Sequence, residues 1–373
     1  MIIKTLKLQN FRNITKREFS FSDGVTVIFG KNTTGKTNIL EAIYLLSTGK
    51  SFRAYREEEM IQEGEELVRV SAQVVTLVKP INSVTPEKVD LEIVIVRPVG
   101  FTSPKAGHAL TARGKKKLTV NGVSRQLYTY VGNLKAVMFG PWDLSLVTES
   151  PSIRRRYLDF VLSLVDREYR RSILSYEKGI RQRNRVLERI REGLATRSQL
   201  LFWDQLLIRE GNLITQARER FIEFVNTTSL PEEELKLEYD RSVISEGRLE
   251  QYKEEEVMAA TTLVGPHRDD TVFRSRKGRT GRASSTGWEL SKFGSRGEQR
   301  MAVVWVKLAE LDYIEKETGE RPVLLLDDIF SELDTEHHKI VLDTVSRQQT
   351  ILTTAERRDV DKWENVDIVE LGL

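Results

Sequence analysis

The sequence predicts an α/β fold built around a phosphate-binding loop, with an α-helical lobe inserted between its two halves, and three observations carry that reading. Near the N-terminus the β-branched and aromatic run Val25-Thr26-Val27-Ile28-Phe29 is closed by Gly30 and followed by Ile39, Ile43 and Leu46 at helical spacing, which reads as strand, loop and helix. Near the C-terminus Pro322-Val323-Leu324-Leu325-Leu326 is apolar throughout and ends in Asp327 and Asp328, as a strand covered on both faces of a parallel sheet should. Between these ends the apolar residues fall into a helical period.

From Ser152 to about Glu192, Leu158, Leu162, Val165, Tyr169, Ile173, Tyr176, Ile180, Leu187 and Ile190 recur at steps of three, four or seven with charges between them. That spacing predicts one long amphipathic helix or two nearly collinear ones. A second helical stretch carries Leu206, Leu207, Leu213, Ile214, Ala217, Phe221 and Val225, so an antiparallel helical hairpin across Gly193 is expected. Ile351-Leu352 and Val366-Asp367-Ile368-Val369 suggest further short strands. There is no internal repeat and no sustained heptad pattern, so no long coiled coil is expected.

Composition bounds the function. A chain of 373 residues with 39% hydrophobic and 30% charged residues, 9 Pro and 23 Gly can bury a sizeable core in one or two lobes. No apolar run approaches the roughly 20 residues of a membrane span, and Met1-Ile2-Ile3-Lys4-Thr5-Leu6-Lys7-Leu8 interleaves lysines where a signal peptide needs an unbroken apolar stretch, so a cytoplasmic protein without a membrane partner is expected. The absence of Cys excludes disulfides, thiolate zinc sites and cysteine nucleophiles, and 4 His without an H-E-x-x-H pair leave little for a His-based zinc centre. The net charge of +3 is uninformative as a total, but residues 151–200 hold 13 Lys/Arg against 6 Asp/Glu. Residues 101–120 hold five basic residues and no acid, and Arg274, Arg276, Lys277, Arg279 and Arg282 form a third cluster in a Gly/Ser-rich stretch.

Gly30-Lys31-Asn32-Thr33-Thr34-Gly35-Lys36-Thr37 matches G-x-x-x-x-G-K-[ST]. Backbone N–H groups that curl around phosphate oxygens require glycine where a side chain would collide. Lys36 supplies a point charge to the β/γ-phosphates, Thr37 offers its hydroxyl to Mg²⁺, and the following helix begins with its positive dipole end at the phosphates. Asp327 completes the metal shell, and Asp328 is placed to orient or deprotonate an attacking water; alternatively the two acids cap a core strand. In Gly294-Ser295-Arg296-Gly297-Glu298, a small-residue turn opens a helical stretch, which suits a γ-phosphate or is simply an N-capped loop. Ser331-Glu332-Leu333-Asp334 follows the acids and precedes His337 and His338, which read as solvated.

These motifs together resemble the ATP-binding-cassette ATPases of the structural-maintenance-of-chromosomes group, and within it the RecF family of bacterial DNA replication and repair proteins. The resemblance rests on Leu8-Gln9-Asn10-Phe11-Arg12-Asn13, Leu40-Glu41-Ala42-Ile43-Tyr44, Gly49-Lys50-Ser51-Phe52-Arg53, Val137-Met138-Phe139-Gly140-Pro141, Arg154-Arg155-Arg156-Tyr157-Leu158-Asp159, Gln182-Arg183-Asn184, Gly265-Pro266-His267-Arg268-Asp269-Asp270 and Ser295-Arg296-Gly297-Glu298, in order along most of the chain. It implies an ATPase lobe made of residues 1–145 and 257–373 around a helical lobe at 146–256. It implies ATP on Gly30 to Thr37 and Mg²⁺ on Thr37 and Asp327. It implies an ATP-dependent homodimer in which Ser295 and Gly297 of one subunit meet the γ-phosphate held at Lys36 of the other, with Asp334 in the same interface. The implied partners are DNA, as duplex or single-strand/duplex junctions, and the RecR and RecO mediators; the implied role is recombinase loading at gaps with weak, DNA-stimulated ATP hydrolysis.

Three residues depart from the usual cassette pattern. Glu298 replaces a glutamine, Asp328 is shorter than the customary glutamate, and Thr353 or Thr354 stands where many cassette ATPases have a switch histidine. Arg12 and Arg53 either reach nucleotide phosphates or pair with acids, and His267-Arg268, after a Gly-Pro turn, has a functional reading or only supports the signature loop. Sequence-independent DNA binding through phosphates is expected, with Arg154-Arg155-Arg156 and Arg181, Arg183 and Arg185 contributing. A transporter cassette is disfavoured by the wide separation of phosphate loop and signature, and an architectural chromosome protein by the shortness of the insertion. A metabolic P-loop kinase leaves Ser295-Arg296-Gly297 unexplained.

Overall fold

Alternation of apolar and polar residues builds much of the first sheet. The structure, a computed structural model, describes residues 1–31, 33–76, 87–98, 115–230, 234–276, 287–329, 341–356 and 366–371. Strands β1 (Ile2–Phe11), β2 (Ile14–Ser20), β4 (Leu67–Thr76), β5 (Glu87–Val96), β6 (Lys115–Val120) and β7 (Val123–Ser124) pair antiparallel in the order β2-β1-β4-β5-β6-β7. On β1, Leu6 and Leu8 are buried while Lys7 and Gln9 are exposed, and on β5 Val89, Leu91, Ile93 and Ile95 all face inward. A sheet with one wet face requires that period of two.

The second sheet is parallel, and all its strands but the edge strand β14 are buried. Strands β3 (Val25–Phe29), β8 (Ala136–Phe139), β12 (Val323–Asp327), β13 (Thr350–Thr354) and β14 (Asp367–Glu370) are ordered β14-β3-β13-β12-β8, so strands from the two ends of the chain share one sheet. The helix Lys36–Thr48 packs against β1 and β4 of one sheet and β8 and β13 of the other, burying Ile39, Leu40, Ile43 and Leu46 among Leu6, Val70, Met138 and Ile351. It ends at Gly49, whose φ of 70° and N–H to the Leu45 carbonyl at 2.7 Å form a left-handed C-cap. Both sheets and this helix belong to one compact unit, residues Met1–Trp142 with Ile314–Leu373.

The second unit is Asp143–Tyr313. The expected long amphipathic stretch is two helices, Pro151–Val165 and Arg167–Arg191, divided at Asp166, whose carboxylate accepts the N–H groups of Glu168 at 2.7 Å and Tyr169 at 3.1 Å. Arg167–Arg191 pairs with the helix Leu201–Thr227 as an antiparallel hairpin turned at Gly193, φ 75°. Gly179 lies against Leu207, Gly211 against Tyr176, and Arg218 against Tyr169, so residue numbers fall on one helix as they rise on the other. A short antiparallel sheet in the order β11-β10-β9, made of β9 (Leu235–Asp240), β10 (Asp270–Ser275) and β11 (Trp288–Glu289), completes the unit with the first part of the helix Arg296–Thr318. Among the described residues no helix is long and apolar enough to cross a membrane.

Candidate functional site

The loop after β3 is shaped by close contacts at its glycines. A Cβ on Gly30 would lie 2.9 Å from the Thr34 hydroxyl and 3.2 Å from Leu371, and one on Gly35, whose φ is 99°, would lie 2.8 Å from Oδ1 of Asn13. Thr33 also takes a positive φ of 73°, and Thr34 turns the loop by donating its hydroxyl to the Lys31 carbonyl at 2.9 Å. Asn32 lies outside the described residues. The Lys36 ammonium folds back into this loop and donates to the carbonyls of Gly30 at 2.6 Å and Lys31 at 3.0 Å. Burial draws its pKa below the ordinary lysine value, opposed by the negative charges of Asp328 and Asp327.

The parallel sheet brings the second half of the chain to the same place. Oγ1 of Thr37 lies 2.9 and 3.0 Å from the two carboxylate oxygens of Asp327, although 290 residues separate them. Thr353, opposite Asp327 in the β12–β13 register, donates its own hydroxyl to Oδ1 at 2.6 Å, which leaves Oδ2 for Thr37. The backbone N–H of Asp328 donates to the same Thr353 hydroxyl at 3.1 Å. Asp328 itself is exposed and adopts a φ of 49°, a left-handed conformation that asparagine and aspartate tolerate best and that bends the chain sharply as it leaves β12. One hydroxyl and one carboxylate, both hard oxygen donors, suit a small divalent cation that keeps phosphate oxygens and water as its other ligands.

A charged network flanks the loop. Glu41, fully buried on the helix Lys36–Thr48, accepts from Arg12 Nη2 at 2.6 Å and Nε at 3.1 Å and from the Ser51 hydroxyl, with Arg53 at 3.8 Å. Arg53 also donates to Asn38 Oδ1 at 3.1 Å, Asn38 donates to Asn13 Oδ1 at 2.8 Å, and Asn13 reaches the Thr33 carbonyl at 3.4 Å. Both arginines therefore pair with an acid of the chain. Arg53 remains 43% exposed at its side chain. Asn13, which braces the loop, carries no signal of its own in a single sequence.

Ser295 and Gly297 lie in the second unit, at the start of the helix Arg296–Thr318. The Ser295 N–H donates to Glu298 Oε2 at 2.6 Å and the Glu298 N–H to Ser295 Oγ at 3.3 Å, a reciprocal capping box worth about 1 kcal/mol to the helix. Gly297 is exposed; a Cβ there would meet nothing closer than Ser295 Oγ at 4.0 Å, and its φ is not positive. Among the described residues neither packing nor backbone geometry calls for glycine there.

The sequence profile of the RecF/RecN/SMC N-terminal domain family matches residues 2–370. A DNA replication and repair protein RecF from Herpetosiphon aurantiacus is 34% identical, covering 96% of this chain and 94% of its own, and one from Caldanaerobacter subterraneus is 30% identical, covering 97% and 96%. The chain belongs to the RecF family. A solved structure of the recombination mediator protein RecF with ATP, from the RecFOR pathway, matches at a TM-score of 0.81 and 30% identity over 96% of this chain and 92% of that one. A solved Smc head bound to the C-winged helix domain of ScpA shares the fold, with a TM-score of 0.53 at 17% identity over 98% and 93%.

In this RecF-family chain the three departures have local explanations. Glu298 closes the capping box as glutamine also could, Asp328 occupies a sharp bend, and Thr353 is buried and engaged with Asp327. Asp334, His337, His338, Lys277, Arg279 and Arg282 lie outside the described residues. His267 is spent on structure: its Nδ1 accepts from Tyr176 Oη at 2.9 Å while Nε2 donates to the Thr262 carbonyl at 3.0 Å, and burial pushes its pKa down to about 4. Arg154 is paired bidentately with Asp270 at 2.7 and 3.0 Å, and Arg183 with Asp204 and Glu256 at 2.7 Å each, so these two of the expected DNA-binding arginines are committed inside the lobe.

Proposed function

We propose that this chain is an ATP-dependent DNA-binding protein of replication and recombinational repair, which dimerises on ATP, binds duplex DNA and single-strand/duplex junctions, and promotes recombinase loading at gaps with RecO and RecR in the cytoplasm. The observation that carries the reading is the convergence of Lys36, Thr37, Asp327 and Thr353 at the ends of adjacent parallel strands. That is where open α/β sheets bind phosphates. The RecF structure solved with ATP supports the choice of nucleotide.

In this reading the ATPase lobe combines residues 1–145 and 257–373 around a helical lobe at 146–256. The backbone from Gly30 to Thr37 cradles the phosphates, Lys36 supplies positive charge to the β/γ-phosphates, and the exposed Asp328 orients the attacking water and accepts its proton. Thr37 and Asp327 would hold Mg²⁺, whose chemistry there is to neutralise phosphate charge and polarise the terminal phosphoryl group. Ser295 and the uncovered Gly297 of a second subunit contact the γ-phosphate, so hydrolysis reopens the dimer and acts as a slow timing switch.

The test compares oligomeric state and DNA affinity with ATP, with ADP and without nucleotide for wild type, Lys36→Met and Ser295→Arg. ATP-specific dimerisation, lost in Ser295→Arg while that variant still binds ATP, is the expected result. Dimerisation indifferent to nucleotide overturns the reading.

A further inference from the structure

The helix Arg167–Arg191 carries nine Lys/Arg and three acids in 25 residues, and folding sorts its cations by face. Tyr169, Ser172, Tyr176, Gly179, Arg183 and Leu187 are buried against the rest of the lobe. Arg167, Arg171, Lys178, Arg181, Arg185 and Arg189 are all exposed. At 100° per residue these six fall within about 40° either side of one line along the helix. Acids on the helix avoid the line: Glu168, Glu177 and Glu188 lie about 60° to 100° away from it.

Little within the chain neutralises the stripe. Arg181 has Glu177 at 4.0 Å, both more than half exposed, and Arg189 reaches the Leu194 carbonyl at 3.4 Å. Arg167, Arg171, Lys178 and Arg185 have no ion pair or side-chain hydrogen bond among the described residues. Exposed i,i+4 pairs contribute little, so the Glu177 contact yields readily to a stronger anion.

We propose that this exposed stripe of the helix Arg167–Arg191 is a docking surface for the phosphate backbone of duplex DNA. The proposal rests on the DNA-binding reading above and assigns it a surface. From Arg167 to Arg189 the stripe runs about 33 Å at 1.5 Å per residue, close to the 34–36 Å of one duplex turn, so it meets both backbones within that turn. Arg171, Lys178 and Arg185 follow at seven-residue steps of about 10 Å, the axial rise of three base pairs. An acidic protein partner is the poorer fit, because protein interfaces centre on buried aromatic or aliphatic anchors and the stripe offers only Leu174, 41% exposed. A row of cations that reads no base edge predicts binding indifferent to sequence and steeply dependent on salt.

The experiment measures affinity for two duplexes of unrelated sequence, over a series of salt concentrations, in whichever nucleotide state gives wild type its tightest binding. The protein is compared as wild type, as Arg171→Glu/Lys178→Glu/Arg185→Glu, as the milder glutamine triple at the same positions, and as the charge-matched control Lys7→Glu/Lys16→Glu/Lys88→Glu. Thermal melting confirms that each variant is folded; if the glutamate triple melts early, the glutamine triple decides. We expect both stripe variants to lose about tenfold or more in affinity, equally on the two duplexes, with the salt slope reduced by about 3. ATP-dependent dimerisation should persist in them. Unchanged affinity and slope in the stripe variants overturns the assignment and leaves the stripe to an acidic protein surface. An equal loss in the control overturns it as well, as an effect of net charge. Failure of wild type to bind DNA in any nucleotide state instead overturns the functional reading beneath it.

Discussion

The hydroxyl of Thr353 donates to Oδ1 of Asp327 across 2.6 Å and accepts the backbone N–H of Asp328, so one buried threonine fixes both acids at the end of β12. Among the described residues it makes no hydrogen bond to the loop or to Thr37; it orients the carboxylate that meets Thr37.

Thr353→Val therefore keeps the shape of the strand and removes that orientation. Outer-shell partners of metal-binding groups typically contribute 10–100-fold in metal affinity. We expect the Mg²⁺ concentration needed for half-maximal ATP binding to rise by about tenfold or more, with metal-free nucleotide binding unchanged and Thr353→Ser close to wild type. Calorimetric titration across Mg²⁺ concentrations measures this, and an unaltered Mg²⁺ requirement removes Thr353 from the site.

Gly35 and Asn13 form a steric pair. Alanine at 35 must hold a φ of 99° and place its Cβ 2.8 Å from the Asn13 side chain. Gly35→Ala should abolish measurable nucleotide binding and cost about 1–2 kcal/mol in stability from the backbone alone. Adding Asn13→Ala relieves the collision but not the backbone conformation, so a partial recovery is expected in the double variant. A full recovery would show that the φ angle is not the constraint.

Gly297→Ala separates folding from association. A helical glycine with nothing near its notional Cβ gains up to about 1 kcal/mol on replacement by alanine. The monomer should melt at the wild-type temperature or slightly above it, while light scattering in ATP shows the dimer lost. Retention of the dimer places the γ-phosphate contact elsewhere.

His267 makes the lobe acid-sensitive. Its pKa is about 4 in the folded chain against an ordinary 6.5, so between those values the unfolded chain takes up a proton that the folded chain refuses. Stability from this group is complete above pH 6.5, falls as pH drops from 6.5 to 4, and is level below. The span corresponds to at most about 3 kcal/mol. Denaturant melts of wild type and His267→Asn across that range should differ in slope, and parallel curves would mean that the imidazole is not buried in its neutral form.

Much of the site was legible because its residues announce their chemistry locally. Gly30 to Thr37 and the Leu-Leu-Leu-Asp-Asp strand are contiguous patterns whose geometry follows from sterics and burial. Pairing Thr37 with Asp327 required only that both strands belong to one parallel sheet. Thr353 or Thr354 stands where many cassette ATPases have a switch histidine, and the contact that Thr353 makes with Asp327 depends on register with β12, which no local pattern encodes. The six-stranded antiparallel sheet is less legible: Val89, Leu91, Ile93 and Ile95 fall at a period of two, but Val94 and Val96 blur the alternation. Among the basic clusters, composition did not distinguish Arg154 and Arg183, which neutralise buried acids, from Arg171 and Arg185 on the wet face; helical phase did.

Lys36 rests on the carbonyls of Gly30 and Lys31. A phosphate arriving at the loop thus displaces partners already in place, and the net gain is the difference between an anion and two neutral dipoles. Affinity at Lys36 is in this sense relative: what counts is how far a ligand's charge exceeds the two carbonyl dipoles that already hold the ammonium.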